Sequence, residues 1–191
     1  MPNPRSHAVV GIAAVIALVA AGCGSSTPGS VRSSGSPANV TTTEAPRPAG
    51  RFPSTISQMV CRPEAQREIA EVIGEKPVRI STPTWIDHLY ACRYEYTSGV
   101  MTLSVKELSS WAQTLTYFHG LGSQFGSPRS LANLGQGAFS ENDGSVVVRK
   151  DWKVLTVDVT ALPGQFGVPP TSAGDVAVTV ADVILGCWAG D

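Results

Sequence analysis

Residues 84–105 read TWIDHLYACRYEYTSGVMTLSV, and the fold class turns on them. From Thr84 to Thr97 the residue types suit a strand, and the pattern alternates. Ile86, His88, Tyr90, Cys92, Tyr94 and Tyr96 fall on one side, and Trp85, Asp87, Leu89, Ala91, Arg93 and Glu95 on the other. Side chains on a strand point to opposite faces in turn, so one face is half-buried. Ser98-Gly99 suits a tight turn, and Met101, Leu103 and Val105 alternate on the way back. The stretch therefore predicts an antiparallel hairpin.

Helical signals flank it. PEAQREIAEVI, residues 63–73, has Pro at its first position, Glu64 beside it and Gly74 as its stop, the usual punctuation of a helix. Ala65, Ile69, Val72 and Ile73 share its apolar face. On the other side, Ser109 can cap a helix that runs to Leu121. There Trp111, Leu115 and Phe118 recur at helical spacing, and Gly120 and Gly122 end it.

Further along, a strand is expected near Ala138 to Glu141. Asp143-Gly144 turns it, SVVVRK returns, and a second turn near Asp151 leads into WKVLTVDVT. In the last of these, Leu155, Val157 and Val159 make one face. Near the end, Val176, Val178 and Val180 alternate as in a strand. Ser172 and Asp175, however, form a capping box, and Val176, Val180, Val183 and Cys187 fit a helical face, so a helix is expected. The order is helix, hairpin, helix, three-strand meander, helix. It predicts an α+β fold, with an antiparallel sheet of hairpin plus meander packed against three helices.

The amino-terminal third differs in composition. Arg5 precedes an unbroken run of small and apolar residues from Ala8 to Ala21. That run is shorter than the roughly 20 residues a membrane-spanning helix needs, and it suits the apolar part of a secretory signal. Residues 24–54 are rich in Gly, Ser, Thr and Pro. They hold too few apolar groups to offset the cost of ordering the backbone, about 1 to 2 kcal/mol per residue. The expected organisation is a signal peptide over 1–22, an anchored flexible linker over 23–54 and a single α+β domain over 55–191.

The stretch L-V-A-A-G-C, residues 18–23, resembles a bacterial lipobox. The resemblance implies cleavage before Cys23 and a diacylglyceryl group on its sulfur. Several acyl chains hold a protein to a membrane where one is marginal, because each buried methylene contributes about 0.8 kcal/mol. The globular part resembles the small lipoproteins of mycobacteria and related actinobacteria. The points of similarity are Cys61 before the first helix, Gly74 at its end, C-R-Y at 92–94, L-G-Q-G-A at 134–138 and the Val-rich meander. This likeness implies the outer face of the cell membrane and a compact α+β domain, and it brings no catalytic residues.

Export would place Cys61, Cys92 and Cys187 where disulfides persist. Three cysteines allow one bridge and one remaining thiol. Cys61–Cys92 is favoured because it ties the first helix to the first long strand, and Cys61–Cys187 is the alternative.

Several chemistries lack their signatures. The chain carries a formal charge of −1 with no basic stripe, so nothing marks nucleic-acid binding. There is no G-x-S-x-G and no C-x-x-C, and NLGQGAF lacks the Lys-Ser/Thr of a phosphate loop. Asp87 and His88, adjacent on a strand, would face apart, and His88 is expected among the tyrosines or near the surface. His119 suits a helix carboxyl end. No catalytic residue, metal or cofactor is expected.

One motif remains. Q-F-G-x-P occurs at 124–128 and again at 165–169. Two loops presenting Phe125 and Phe166, with Leu162 and Val168 nearby, would rim an apolar groove for an envelope protein or a lipid. The expected function is a membrane-anchored, non-enzymatic binding or accessory module of the cell envelope. A lipid carrier with an internal cavity is the alternative, and an envelope hydrolase comes behind both.

Overall fold

A computed structural model describes residues 46–124 and 128–188. In chain order the elements are α1 (Thr55–Met59), α2 (Pro63–Ile73), β1 (Arg79–Ile80), β2 (Thr84–Ile86), β3 (Leu89–Glu95), β4 (Val100–Glu107) and α3 (Trp111–Gln124). These are followed by β5 (Arg129–Leu131), β6 (Gly137–Ser140), β7 (Val146–Lys150), β8 (Lys153–Ala161), β9 (Gln165–Phe166), β10 (Thr171–Ser172) and α4 (Ala173–Cys187). The fold is α+β, built on an antiparallel sheet of eight strands.

Hairpin β3–β4 pairs Cys92 with Leu103 and Tyr94 with Met101. The meander β5–β6–β7–β8 closes against it where β8 pairs with β4. The two strand groups seen in the sequence are thus one sheet, in the order β1-β3-β4-β8-β7-β6-β5. Alternation sends Tyr94, Met101, Leu103, Val105, Leu155 and Val157 to one face, where each is fully buried under α2 and α4. The opposite parity sends Val147 and Val154 to the other face with Phe139. There α3 covers them with Phe118.

Termini behave as their residues dictate. α2 opens on Pro63 and stops at Gly74, whose φ is +67°. That left-handed backbone suits glycine. A Cβ on Gly74 would also stand 2.1 Å from the Val168 carbonyl oxygen. At α4, Ser172 Oγ accepts the Asp175 N–H at 3.1 Å and donates to Asp175 Oδ2 at 2.6 Å. The terminal segment is therefore a helix, and the alternation of its valines reflects a helix that is apolar nearly all round.

Several expectations need correction. The strand expected over 84–97 is two strands, because Asp87 and His88 both have positive φ, +50° and +58°, and reverse the chain. Trp85 then pairs with Tyr90. Cross-strand partners share a face, so the turn inverts the sidedness read from unbroken alternation and leaves Ile86 66% exposed. Val72, expected on the buried face of α2, is 47% exposed.

Helix α3 continues through Gly120 and Gly122 to Gln124. Glycine costs a helix only about 1 kcal/mol, too little to end it here. Its first turn is held by Ser110 rather than Ser109: Ser110 Oγ accepts the Gln113 N–H, and Gln113 Oε1 accepts the Ser109 N–H. α1, β1, β5 and the β9–β10 pair had no clear sequence signal.

Of the segment read as linker, residues 46–54 are described, and they form a strap along the domain. Ala49 N donates to Leu108 O at 3.1 Å, and the Trp85 indole N–H donates to Arg51 O at 3.0 Å.

Candidate functional site

The strap, α1 and the adjoining ends of β4 and β8 enclose a cleft of about 490 Å³. Arg47, Pro48, Phe52, Ser54, Glu107 and Lys153 line it. Its polar floor follows from the pleat. Glu107 shares parity with Leu103 and Val105, and Lys153 shares parity with Leu155 and Val157, so both point to the face that α2 and α4 cover further along. They are register partners, 5% and 2% exposed. Opposite charges side by side in a ladder attract, and burial strengthens the attraction.

Glu107 also holds the strap. Its Oε1 accepts Ser54 N at 2.7 Å and Ser57 Oγ at 2.5 Å. Ser54 Oγ in turn accepts Ser57 N at 3.2 Å, capping α1. Ser57 is wholly buried and its hydroxyl donates to the carboxylate. This geometry fastens an entering chain; it does not present a nucleophile. The residues of this cluster were not singled out from the sequence, although Glu107 standing at an inward position of β4 was the available signal.

At the same end of the sheet lies the β2–β3 turn. Glu107 N donates to His88 O at 2.8 Å, and Lys106 Nζ donates to Asp87 O. His88 is exposed and stacks edge-on against Trp85, with ring centroids 5.6 Å apart. It therefore sits at the surface, away from Tyr94 and Tyr96 in the core.

Of the groove expected from the two Q-F-G-x-P motifs, the part built on Phe166 does not form a rim. Phe166 is 3% exposed and packs edge-on against Tyr96 at 4.8 Å, so it belongs to the core and not to a rim. Leu162 is partly buried against the same core. Val168 is 67% exposed, and with Val72, Phe166 and Pro169 it borders a small cavity of about 190 Å³. Phe125 lies outside the described residues.

Cys61 and Cys92 form a disulfide with Cα atoms 6.0 Å apart, which joins the α1–α2 turn to the middle of β3. Beside it, the Tyr94 hydroxyl donates to Val60 O at 2.6 Å. The Cys187 Sγ lies 3.1 Å from Glu68 Oε2, between α4 and α2. Cys23 lies outside the described residues.

His119 borders a cleft of about 460 Å³ with Ser123 and Ser130, and among the described residues no carboxylate lines it. Arg149, missed in the sequence, lays its guanidinium over Trp111 at 4.3 Å and near Phe118 at 5.7 Å. A cation against aromatic faces is a packing solution worth about 0.5 to 2 kcal/mol. Among the described residues, no group of three His, Cys, Asp or Glu is placed to hold a metal ion. No described helix is long and apolar enough to cross a membrane.

Glu141 is the titratable group most displaced within the physiological range. Burial first, then Asp143 and Asp158, push its carboxyl up to about 7. A carboxyl raised on folding binds its proton more tightly in the native state. Its contribution is complete below the unfolded value near 4.5 and is lost as pH rises through about 7. The melting temperature is therefore expected to fall between about pH 5 and 7.5, and to fall less in Glu141→Gln. Parallel slopes for the two proteins in thermal scans would contradict this.

The chain was compared with family models, with curated proteins and with solved structures, and it matches none of them.

Proposed function

We propose that this protein is an exported lipoprotein, anchored through Cys23 to the outer face of the cell membrane. Its α+β domain then serves as a non-enzymatic binding module of the envelope. The single observation that carries the reading is the Cys61–Cys92 disulfide, in a chain whose first residues resemble a lipobox. Such bridges persist in oxidising compartments and are rare in the cytosol.

Binding at the surface is favoured over carriage in an interior cavity. Tyr94, Met101, Leu103, Val105 and Leu155 fill the space between sheet and helices with no exposure. The cavities lie instead at the periphery, under the strap and beside Val168. The ligand is an envelope protein or a lipid. A hydrolase is disfavoured because Ser57 is buried and donates its hydroxyl to Glu107.

The test is intact-mass analysis of protein from its native host, beside Cys23→Ala. The wild type is expected to lack residues 1–22, to carry a diacylglyceryl mass and to enter a detergent phase. Cys23→Ala is expected to carry no lipid mass. A wild-type Cys23 with a bare thiol, or an uncut leader, would sink the proposal.

A further inference from the structure

We propose that the corner where α2 and α4 meet the β9–β10 turn docks a basic segment of a partner protein, which inserts one apolar side chain set between cations. The proposal rests on the binding-module reading above and names the class of partner. Val72, Ile73, Phe166, Val168 and Val176 line a cavity here of about 190 Å³. Sites for whole small ligands run from about 300 to 1,000 Å³, so this one suits a single aliphatic or aromatic side chain. Two of its walls stand open: Val168 is 67% exposed and Val72 47%. Isolated valines on a surface need no explanation, but a pair flanking an apolar cavity forms an anchor pocket of the kind that carries interface energy.

The pocket is built rigidly. Val168 N donates at 2.8 Å to the carbonyl oxygen of Ile73, the last residue of α2. A Cβ on Gly167 would stand 2.6 Å from that same oxygen, and one on Gly74 would stand 2.1 Å from Val168 O. Two glycines thus let the turn and the helix end touch backbone to backbone. Phe166 fixes the base by packing edge-on against Tyr96. A side chain entering a preformed pocket loses little to rearrangement of its host.

Charge identifies the occupant. Residues 62–76 and 173–187, which carry α2 and α4, hold six carboxylates and three cations, whereas the other described residues hold seven carboxylates and nine cations. α4 itself has Asp175 and Asp182 and no Lys or Arg. Arg62 and Arg67 belong to the amino-terminal half of α2, away from the pocket. At the pocket end Lys76 stands against three carboxylates: Glu71 beside Val72, Glu75 after the Gly74 stop and Asp175 beside Val176. The carboxyl end of α2 adds partial negative charge. A negative rim around an apolar pocket complements a leucine or phenylalanine flanked by Lys or Arg. The same rim repels anionic headgroups, which favours protein over lipid as the ligand.

The test titrates the mature chain carrying Cys23→Ser with short peptides, read as amide NMR shifts and fitted for the dissociation constant. The first peptide has a central leucine between paired lysines. In the second, serine replaces the leucine, and in the third, glutamates replace the lysines. The first is expected to shift the amides of Val72, Val168 and Thr179, and to bind less tightly as salt is raised. The serine peptide should bind about tenfold more weakly, and the glutamate peptide should leave these amides unmoved. Val168→Ser should weaken the first peptide about fivefold, and Glu71→Lys by about the same factor. Both side chains are exposed, so the fold is retained. Ile86→Ser, at a similarly exposed position on β2, should bind as the parent does.

No shift at the pocket, equal binding of the three peptides, or a loss in Ile86→Ser equal to that in Val168→Ser would overturn the inference. So would a dimer of the chain alone that Val168→Ser dissolves, which gives the pocket to a second copy. Shifts of the same amides with micelles of short-chain phosphatidylcholine, and none with peptide, would overturn it in favour of lipid. Each of these results leaves the lipoprotein reading standing, because intact mass reads the anchor independently. An unlipidated Cys23 would likewise leave this titration unchanged.

Discussion

Oxidised protein carrying Cys92→Ser is expected to unfold about 3.5 kcal/mol more readily than the wild type. The bridge closes a loop with a sequence separation of 31. Opening a loop of that size restores conformational freedom to the unfolded chain worth about that much. For a domain of this size the loss corresponds to a fall in melting temperature on the order of 10 °C. The effect should be concentrated where the bridge acts, because the α1–α2 turn has two ties to the sheet. One is the disulfide. The other is the hydrogen bond from the buried Tyr94 hydroxyl to Val60 O. Tyr94→Phe alone should cost about 1 kcal/mol. The double variant should lose more than the sum of the two, since either tie alone keeps the turn in register. Urea unfolding with and without dithiothreitol checks this. Reduced wild type should converge on Cys92→Ser, and equal midpoints in oxidised buffer would show that the bridge contributes nothing.

The parts of this fold that the sequence revealed are those where one local rule acts unopposed. Pro63, Gly74 and the apolar spacing between them define α2 to the residue. Ser172 and Asp175 identify α4 through a hydrogen bond between near neighbours. The inward parity of Met101, Leu103 and Val105 survives because β3 and β8 flank β4 on both sides.

Legibility fails where distant residues decide. The turn at Asp87-His88 carries no Gly or Asn, and its left-handed backbone is held by donors from Glu107 and Lys106 to the carbonyls of His88 and Asp87. Neither donor can be inferred from the turn itself. Phe166 looks like a loop residue because its short flanking stretch is Gly- and Pro-rich. It is buried because Tyr96, seventy positions earlier, offers the edge of a ring. The strap shows the same limit. Residues 46–54 have a linker's composition, yet the backbone N–H of Ser54 has a partner on Glu107, and composition says nothing of that.

Glu107→Ala should be the most damaging single polar substitution in the domain. The carboxylate accepts from two groups, the Ser54 N–H and the Ser57 hydroxyl, and it is the register neighbour of the buried Lys153. Removing it orphans the two donors and takes the negative charge from beside an ammonium that is 2% exposed. Breaking a buried charge pair by deleting one partner costs about 3 to 5 kcal/mol. Glu107→Gln keeps an acceptor oxygen for the two serines and should cost less, so the difference between the variants isolates the charge. The loss should also be directional. Without the latch the strap loosens first, and residues 46–54 should become sensitive to protease in Glu107→Ala under conditions where the sheet remains folded. A second comparison separates stability from specificity. Replacing the cluster together, as Ser57→Ala, Glu107→Leu and Lys153→Met, removes the Ser57 hydroxyl and both charges, and leaves the Ser54 N–H without its acceptor. It should recover most of what Glu107→Ala loses, because a desolvated ion pair returns little net energy over apolar packing of similar volume. Limited proteolysis and urea midpoints together decide the matter. If Glu107→Ala lies within about 1 kcal/mol of wild type and its strap stays protected, the carboxylate does not fasten the entering chain.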